Sequence, residues 1–352
     1  MGILKLGLGI LSKSRTSEWA YIATRVKVMK RKLIPKDDFS KLINMSVDEI
    51  AKYLEETEYK EEIDKLAYKY SGIELIDYAL SYNLSKTYRK LISISTGLPN
   101  KLITLYLRRW DFWNLKNIIR GKMFRFSNEE IEATLIPAGE FDEEFLKMLV
   151  AKDNVGDVIE TFKDRPFYPI LEKLTHGVKL SEVEDELDKY YYSCLAKLTA
   201  ENVDMKYFID FIKMEVDLAN IKTIIRLKKE GATVEEMVSR IIPHGYQLKE
   251  EECRKLAAME LEEIYKAVEN YWFAEGITEE IAKEPLSIIE NALMRTWAKK
   301  VLSIAHSHPL SIHPVLAFIV LKKMEVDNIR LIIRGKSQGM DVEEIKRQLV
   351  IV

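Results

Sequence analysis

Glycine and proline are scarce in this sequence, with 14 and 9 among 352 residues. So few breakers, beside much Leu, Lys, Glu and Ile, argue against a turn-rich sheet protein and for long helices. There is no excess of either charge: 54 basic and 56 acidic residues leave a net of -2. A nucleic-acid binder would carry a clear positive balance, so that class is disfavoured. Cys194 and Cys253 are the only cysteines. They have no metal-motif spacing and form no disulfide framework, which points to a reducing compartment. No segment reaches the ~20 apolar residues that span a bilayer. The N-terminal MGILKLGLGIL is apolar but interrupted by Lys5 and by Gly2, Gly7 and Gly9. It reads as a frayed or packed terminus rather than a signal peptide. Also missing are HExxH, DDxxD and a nucleophile elbow.

What is present is an internal repeat, the feature to seek first in a long helical chain. The segments DFWNLKNIIRGK, DLANIKTIIRLK and EVDNIRLIIRGK align without gaps. An acid (Asp111, Asp217, Glu325) precedes an Asn (Asn114, Asn220, Asn328) by three residues. An Arg (Arg120, Arg226, Arg334) follows the Asn by six, and a pair of Glu follows it by fifteen. The Asn positions are 106 and 108 residues apart. Leu33-Ile34-Pro35, Leu135-Ile136-Pro137 and Ile241-Ile242-Pro243 read as a repeated corner that closes a helical stretch, and the third copy shows no such proline before Val352. Upstream of each Asn runs an apolar stripe in steps of four, four and three. Its members are Leu80, Leu84, Tyr88 and Leu91; Leu187, Tyr191, Leu195 and Leu198; and Leu293, Trp297, Val301 and Ile304. That spacing is one face of a helix. Three registered signatures predict an all-α chain of three similar helical modules, spanning 1–137 with an N-terminal extension, 138–243 and 244–352.

Within each module an acidic helix follows the corner, with Ser46 and Glu49 set as a capping box in the first. The striped helix follows, then the Asn/Arg helix, stopped near Gly121, Gly231 or Gly335. A short helix with the Glu pair comes last, placed to be capped by Asn128, Thr233 or Asp341. On the Asn/Arg helix the acid and the Asn share a side, and the Arg points about 180° from the acid. The three groups therefore need separate partners. A buried Asn is expected to hydrogen-bond backbone at a helix end or proline corner. Repetition in every module favours a structural role, since an active site needs one copy.

Other candidate chemistry is weaker. Gly335-Lys336-Ser337 resembles the end of a phosphate-binding loop, but Arg330 stands where that loop needs glycine, so a helix end is the better reading. His306, His308 and His313 lie close in sequence without a cysteine to complete a metal set. Asp37-Asp38 reads as a solvated corner. Residues 101–125 carry Lys101, Arg108, Arg109, Lys116, Arg120, Lys122 and Arg125 against Asp111 alone, a net of +6. That stretch either faces an acidic partner or pairs internally with acidic runs such as 140–144 and 250–252.

RWDFWNLKNIIRGK, the Leu-Ile-Pro corners, and YIATRVKVMKRKL followed by VDEIAKYLEETEYKEEI resemble the C subunit of the archaeal and bacterial A/V-type ATP synthases. The eukaryotic counterpart is the d subunit of the vacuolar ATPase. The likeness covers nearly the whole chain after the first dozen residues. It implies three helical subdomains in a funnel about a pseudo-threefold axis, peripheral on the cytoplasmic face of the cell membrane. It implies two partners: the proteolipid rotor ring beneath and the central shaft seated in the cavity. It implies torque transmission coupled to proton or sodium transport, with no active site, cofactor, nucleic acid or small-molecule substrate. No individual contact residue carries over. The alternative is a helical-repeat scaffold of another assembly, although common solenoid units are shorter, ~34–47 residues.

Overall fold

A computed structural model describes residues 16–352. The apolar stretch at residues 1–11 lies outside the described residues. The described chain is all-helical, without a strand.

The N-terminal part comprises α1 (Thr16–Lys30), α2 (Lys36–Leu42), α3 (Val47–Glu55), α4 (Lys60–Leu66) and the striped α5 (Gly72–Ser93). The Asn/Arg segment follows as α6 (Gly97–Leu107) and α7 (Arg109–Met123), then the Glu-pair helix α8 (Asn128–Glu132). The same order recurs in α9 (Glu143–Val150), α10 (Val155–Glu160), α11 (Tyr168–Glu172), striped α12 (Leu180–Ala196), Asn/Arg α13 (Val203–Lys229) and α14 (Val234–Arg240). It recurs again in α15 (Glu250–Ala258), α16 (Leu261–Ala267), α17 (Glu279–Ala282), striped α18 (Leu286–Ser307), Asn/Arg α19 (His313–Ser337) and α20 (Val342–Gln348). The first copy differs in that its Asn/Arg segment is divided at Arg108, whereas α13 and α19 run unbroken.

The stripes do what their period demands. Leu80, Leu84, Tyr88 and Leu91 are fully buried, as are Leu293, Trp297 and Val301. Leu198 and Ile304, at the ends of their stripes, are half-buried. The Ser46–Glu49 capping box closes, with Glu49 N donating to Ser46 Oγ at 3.3 Å and Ser46 N to Glu49 Oε2 at 2.7 Å. Ser127, one residue before Asn128, caps α8, with Glu130 N donating to its Oγ at 3.1 Å. Asn128 is already helical, and its Oδ1 accepts from Lys122 Nζ. Thr233 and Asp341 cap the other two Glu-pair helices.

Gly121 and Gly335 do not stop their helices. Both are buried inside them, and a Cβ on Gly121 would lie 2.4 Å from Ile131 Cγ1. The stop comes four residues later, at Arg125, Gly231 and Gly339, all with left-handed φ of 59°, 75° and 70°. In each copy the next amide then donates back five residues: Phe126 to Gly121, Ala232 to Leu227 and Met340 to Gly335. That is a Schellman closure.

Packing runs across the sequence modules. One apolar core joins Leu115, Ile118 and Ile119 of α7 to Phe162, Val183 and Leu187, so it straddles residue 137. Likewise α13 packs on α15 and α18, and α19 packs on α1 and α5. Each Asn/Arg helix thus rests on the helices that follow it in sequence. The last, α19, rests on α20 and also on α1 and α5 at the start of the described chain.

Candidate functional site: the repeated acid, Asn and Arg

Each repeated Asn makes a two-bond pair with one backbone unit twenty-two residues on. Asn114 Nδ2 donates to Ile136 O at 2.8 Å and Oδ1 accepts from Ile136 N at 2.8 Å. Asn220 does the same with Ile242, at 2.8 Å for both bonds. Asn328 pairs with Val350, at 2.8 and 2.9 Å. A primary amide carries a donor and an acceptor side by side, so it satisfies both the N–H and the C=O of one residue that has left the helix. The corner counterparts are therefore Ile136, Ile242 and Val350, with Ile351 in the slot held by Pro137 and Pro243. Leu33-Ile34-Pro35 is not a third example. It belongs to a different equivalence, set by the acid.

Asp111 accepts from Glu140 N and Phe141 N, both at 2.9 Å. Asp217 accepts from Gln247 N at 2.8 Å and Leu248 N at 3.0 Å. Trp272 Nε1 adds a third bond to Asp217, at 3.0 Å. Glu325 accepts from Ile34 N at 2.5 Å. Ile34, Phe141 and Leu248 are spaced by 107 residues each time. The third acid therefore repeats the first two across the ends of the chain. Its extra methylene matches a partner delivered by another part of the sequence. The approach is close: a Cβ on Gly139 would lie 2.2 Å from Asp111 Oδ1, and one on Gly245 would lie 2.2 Å from Leu248 O and 2.5 Å from Asp217 Oδ1. Burial pushes the Asp111 carboxyl up to about 7, against the pull of its two amide donors. Burial raises Asp217 in the same way.

On the far side of these helices, cations reach the next striped helix. Arg120 pairs with Glu184 at 2.6 Å and Lys116 with Asp188 at 2.7 Å. Arg334 and Arg330 both bind Asp77, at 3.0 and 2.9 Å, and Arg330 also donates to Ser81 Oγ at 2.6 Å. Asp77 and Glu184 are again 107 residues apart, and the corresponding middle position is Asn291. Asn291 donates to Gln348 O, and Arg226 has no carboxylate in ion-pair reach among the described residues. Lys122 donates to Val150 O and Lys336 to Ile43 O, another pair of acceptors 107 apart. Lys336 of the Gly-Lys-Ser stretch is thus a helix-end cap.

Two buried ionic clusters lock neighbouring copies. Arg109 binds Glu215 Oε2 at 2.8 Å and Oε1 at 3.1 Å, donates to the Tyr106 and Tyr192 hydroxyls, and lies over the Tyr106 ring. Lys322, with no exposed side-chain surface, donates to Tyr59 Oη and Glu325 Oε1, both at 2.8 Å, and pairs with Glu58. Tyr59 Oη in turn donates to Glu325 Oε1 at 2.6 Å.

The basic run at 101–125 is largely used internally. Arg108 meets Glu140, Arg109 meets Glu215, and Lys116 and Arg120 meet α12, while Lys122 is held by carbonyl and amide oxygens. Of the two readings of this stretch, internal pairing accounts for Arg108, Arg109 and Lys116, whose opposite charges are folded against them, and for Lys122, which is held by neutral oxygens. Arg125 and Lys101 have no ion pair among the described residues. Sequence reasoning missed Lys322, Tyr59, Glu215, Gly139 and Gly245. The glycines had a readable signal, since both stand twenty-eight residues after the acid. The buried ion partners had none.

His308 and His313 lie with ring centroids 5.4 Å apart, both against Tyr207, while His306 is exposed. Burial pushes His313 down to about 4. No group of three or more His, Cys, Asp or Glu able to hold a metal occurs among the described residues. No described helix is long and apolar enough to cross a membrane. Asp38 is tied to Lys41 and the Tyr53 hydroxyl.

Comparison with known proteins bears on what such a scaffold serves. The ATP synthase (C/AC39) subunit family matches residues 22–348. The chain is 47% identical over 343 residues to the C subunit of the A-type ATP synthase of Archaeoglobus fulgidus, covering 97% of this chain and 99% of that one. It is 40% identical over 345 residues to the C subunit of the Methanosarcina acetivorans enzyme, covering 97% and 95%. The C subunit of the Haloferax volcanii enzyme is 30% identical over 349 residues, covering 97% and 100%.

Proposed function

This chain belongs to the ATP synthase (C/AC39) subunit family, and from that premise we propose that it is a non-catalytic central-stalk subunit linking the membrane rotor ring to the central shaft. It acts as a socket. Three modules, divided in sequence at 137 and 243, form a funnel about a pseudo-threefold axis on the cytoplasmic face of the membrane. The proteolipid ring binds one end and the base of the shaft enters the other. Its work is mechanical: torque passes through it between ion flow and ATP synthesis.

The observation that supports this reading best is the cyclic closure. Hydrogen bonds and ion pairs that tie α7 to the helices after it recur at a constant offset and tie α19 to the first helices of the chain. A coupler must resist twisting. Buried ionic clusters resist opening at two of the joints, Arg109 with Glu215 and Lys322 with Glu58 and Glu325, because separating buried partners strands charges away from water.

The experiment is removal of this chain from the whole ATP synthase, with ATP hydrolysis and ion pumping followed in membrane vesicles. Hydrolysis should continue while pumping stops, and pumping should return on adding the chain back. Pumping that stays coupled without the chain would refute the socket role.

A further inference from the structure

The three left-handed helix ends are built alike except in side chain. Gly231 and Gly339 serve in two copies, with Glu230 and Ala232, and Gln338 and Met340, beside them. In the first copy the same slot holds Arg125, at φ 59°, between Phe124 and Phe126. A side chain is strained in that conformation and glycine is not. Stability therefore does not explain Met123-Phe124-Arg125-Phe126. Nor does packing: Met123, Phe124 and Phe126 are 47%, 64% and 54% exposed, and the two phenyl centroids stand 6.4 Å apart.

We infer that this tip, Met123 to Phe126 at the end of α7, is an anchor that seats in the headgroup layer of an anionic lipid membrane. The inference goes beyond the socket role, since the partner is lipid rather than protein.

Three observations favour lipid. Protein interfaces of ordinary stability bury about 800 Å² per partner, and three side chains on one crest are too few for that. Aromatic rings beside a basic residue are the composition of membrane-interface anchors. The cation on the crest is Arg125, which has no ion pair among the described residues, so its charge is available to phosphate. The nearby acids are Glu129 and Glu130 on α8, and Glu130 is occupied by its bond from Ser127 N at 2.7 Å. Lys122, behind the crest, is held by Val150 O and Asn128.

The test is sedimentation of the full chain with vesicles of equal parts phosphatidylglycerol and phosphatidylcholine, and with phosphatidylcholine alone. The chain should bind the anionic vesicles more tightly. Phe124→Ser with Phe126→Ser should weaken that binding more than tenfold. Arg125→Gly should weaken it about fivefold while raising thermal stability, so loss of fold is not confounded with loss of binding. No binding by the native chain, or equal binding by the Phe124→Ser/Phe126→Ser variant, would overturn the proposal. A photoreactive phenylalanine at position 126 in the assembled ATP synthase should label lipid, and labelling of protein alone would overturn it as well. Either failure leaves the coupling experiment above unaffected.

Discussion

Replacing Asn220 with Leu tests whether the repeated Asn is the fastener that the geometry describes. The side chain is 1% exposed and holds both polar groups of Ile242, itself 8% exposed, through two bonds of 2.8 Å. Leucine has similar volume and neither polar atom, so an N–H and a C=O are left without partners in a nearly dry place. Each such group costs about 1–3 kcal/mol. Slight relaxation toward solvent at the corner lowers the sum, giving about 2–4 kcal/mol for the variant. For a chain of this length that corresponds to about 3–5 °C in melting temperature. Asn328→Leu provides the comparison. Its partner Val350 is half-buried, whereas Ile242 is buried. Water reaches the orphaned groups more readily there, and the cost drops to about 1–2 kcal/mol. Urea midpoints of the native chain and both variants, with circular dichroism and tryptophan fluorescence read together, provide the order. An unchanged midpoint for Asn220→Leu, or a larger loss in Asn328→Leu, would refute the assignment.

Gly245→Ala should lose about 2–3 kcal/mol, because the new methyl meets backbone at Leu248 O, which cannot swing aside; a native-like urea midpoint would contradict the close approach. Lys322→Ala should lose about 3–5 kcal/mol by leaving Glu58 and Glu325 without their cation in a buried site, and a loss under 1 kcal/mol, roughly that of a surface pair, would show that the cluster is solvated. His313 has a folded-state value near 4, below its ordinary 6.5. Its contribution is present above pH 6.5 and lost as pH falls from 6.5 toward about 4. The stability gap between the native chain and His313→Gln should therefore narrow over that range, and a gap independent of pH would contradict the burial. Cys253, fully buried with its thiol pushed up to about 12 by burial, should resist alkylation in the folded chain while Cys194 reacts; equal labelling without denaturant would show that the site opens.

The helical class, the threefold repeat and the sites of the acid, Asn and Arg were legible in the sequence because they are local and periodic. A stripe in steps of four, four and three buries one face wherever the helix is placed. Asn114 and Ile136 share a copy, so their spacing recurs and can be seen. Some local features were misread even so: Gly121 looked like a helix stop, while the left-handed residue is Arg125, a side chain that rarely takes that conformation.

Contacts between distant segments were decided only by the tertiary structure. Glu325 and Ile34 are 291 residues apart, and nothing in either neighbourhood names the other. The two become partners because α19, last of the long helices, packs on α1 and α5 at the start of the described chain as well as on α20. The basic run at 101–125 shows the same divide. Its sequence shows seven cations and one acid, while the fold supplies Glu140, Asp188, Glu184 and Glu215 from elements up to 106 residues away. Charge counted along a chain is a local quantity, whereas neutralisation depends on which surfaces meet. Sequence by itself determined which faces must be covered; which segment covers each one was settled by how the modules close on one another.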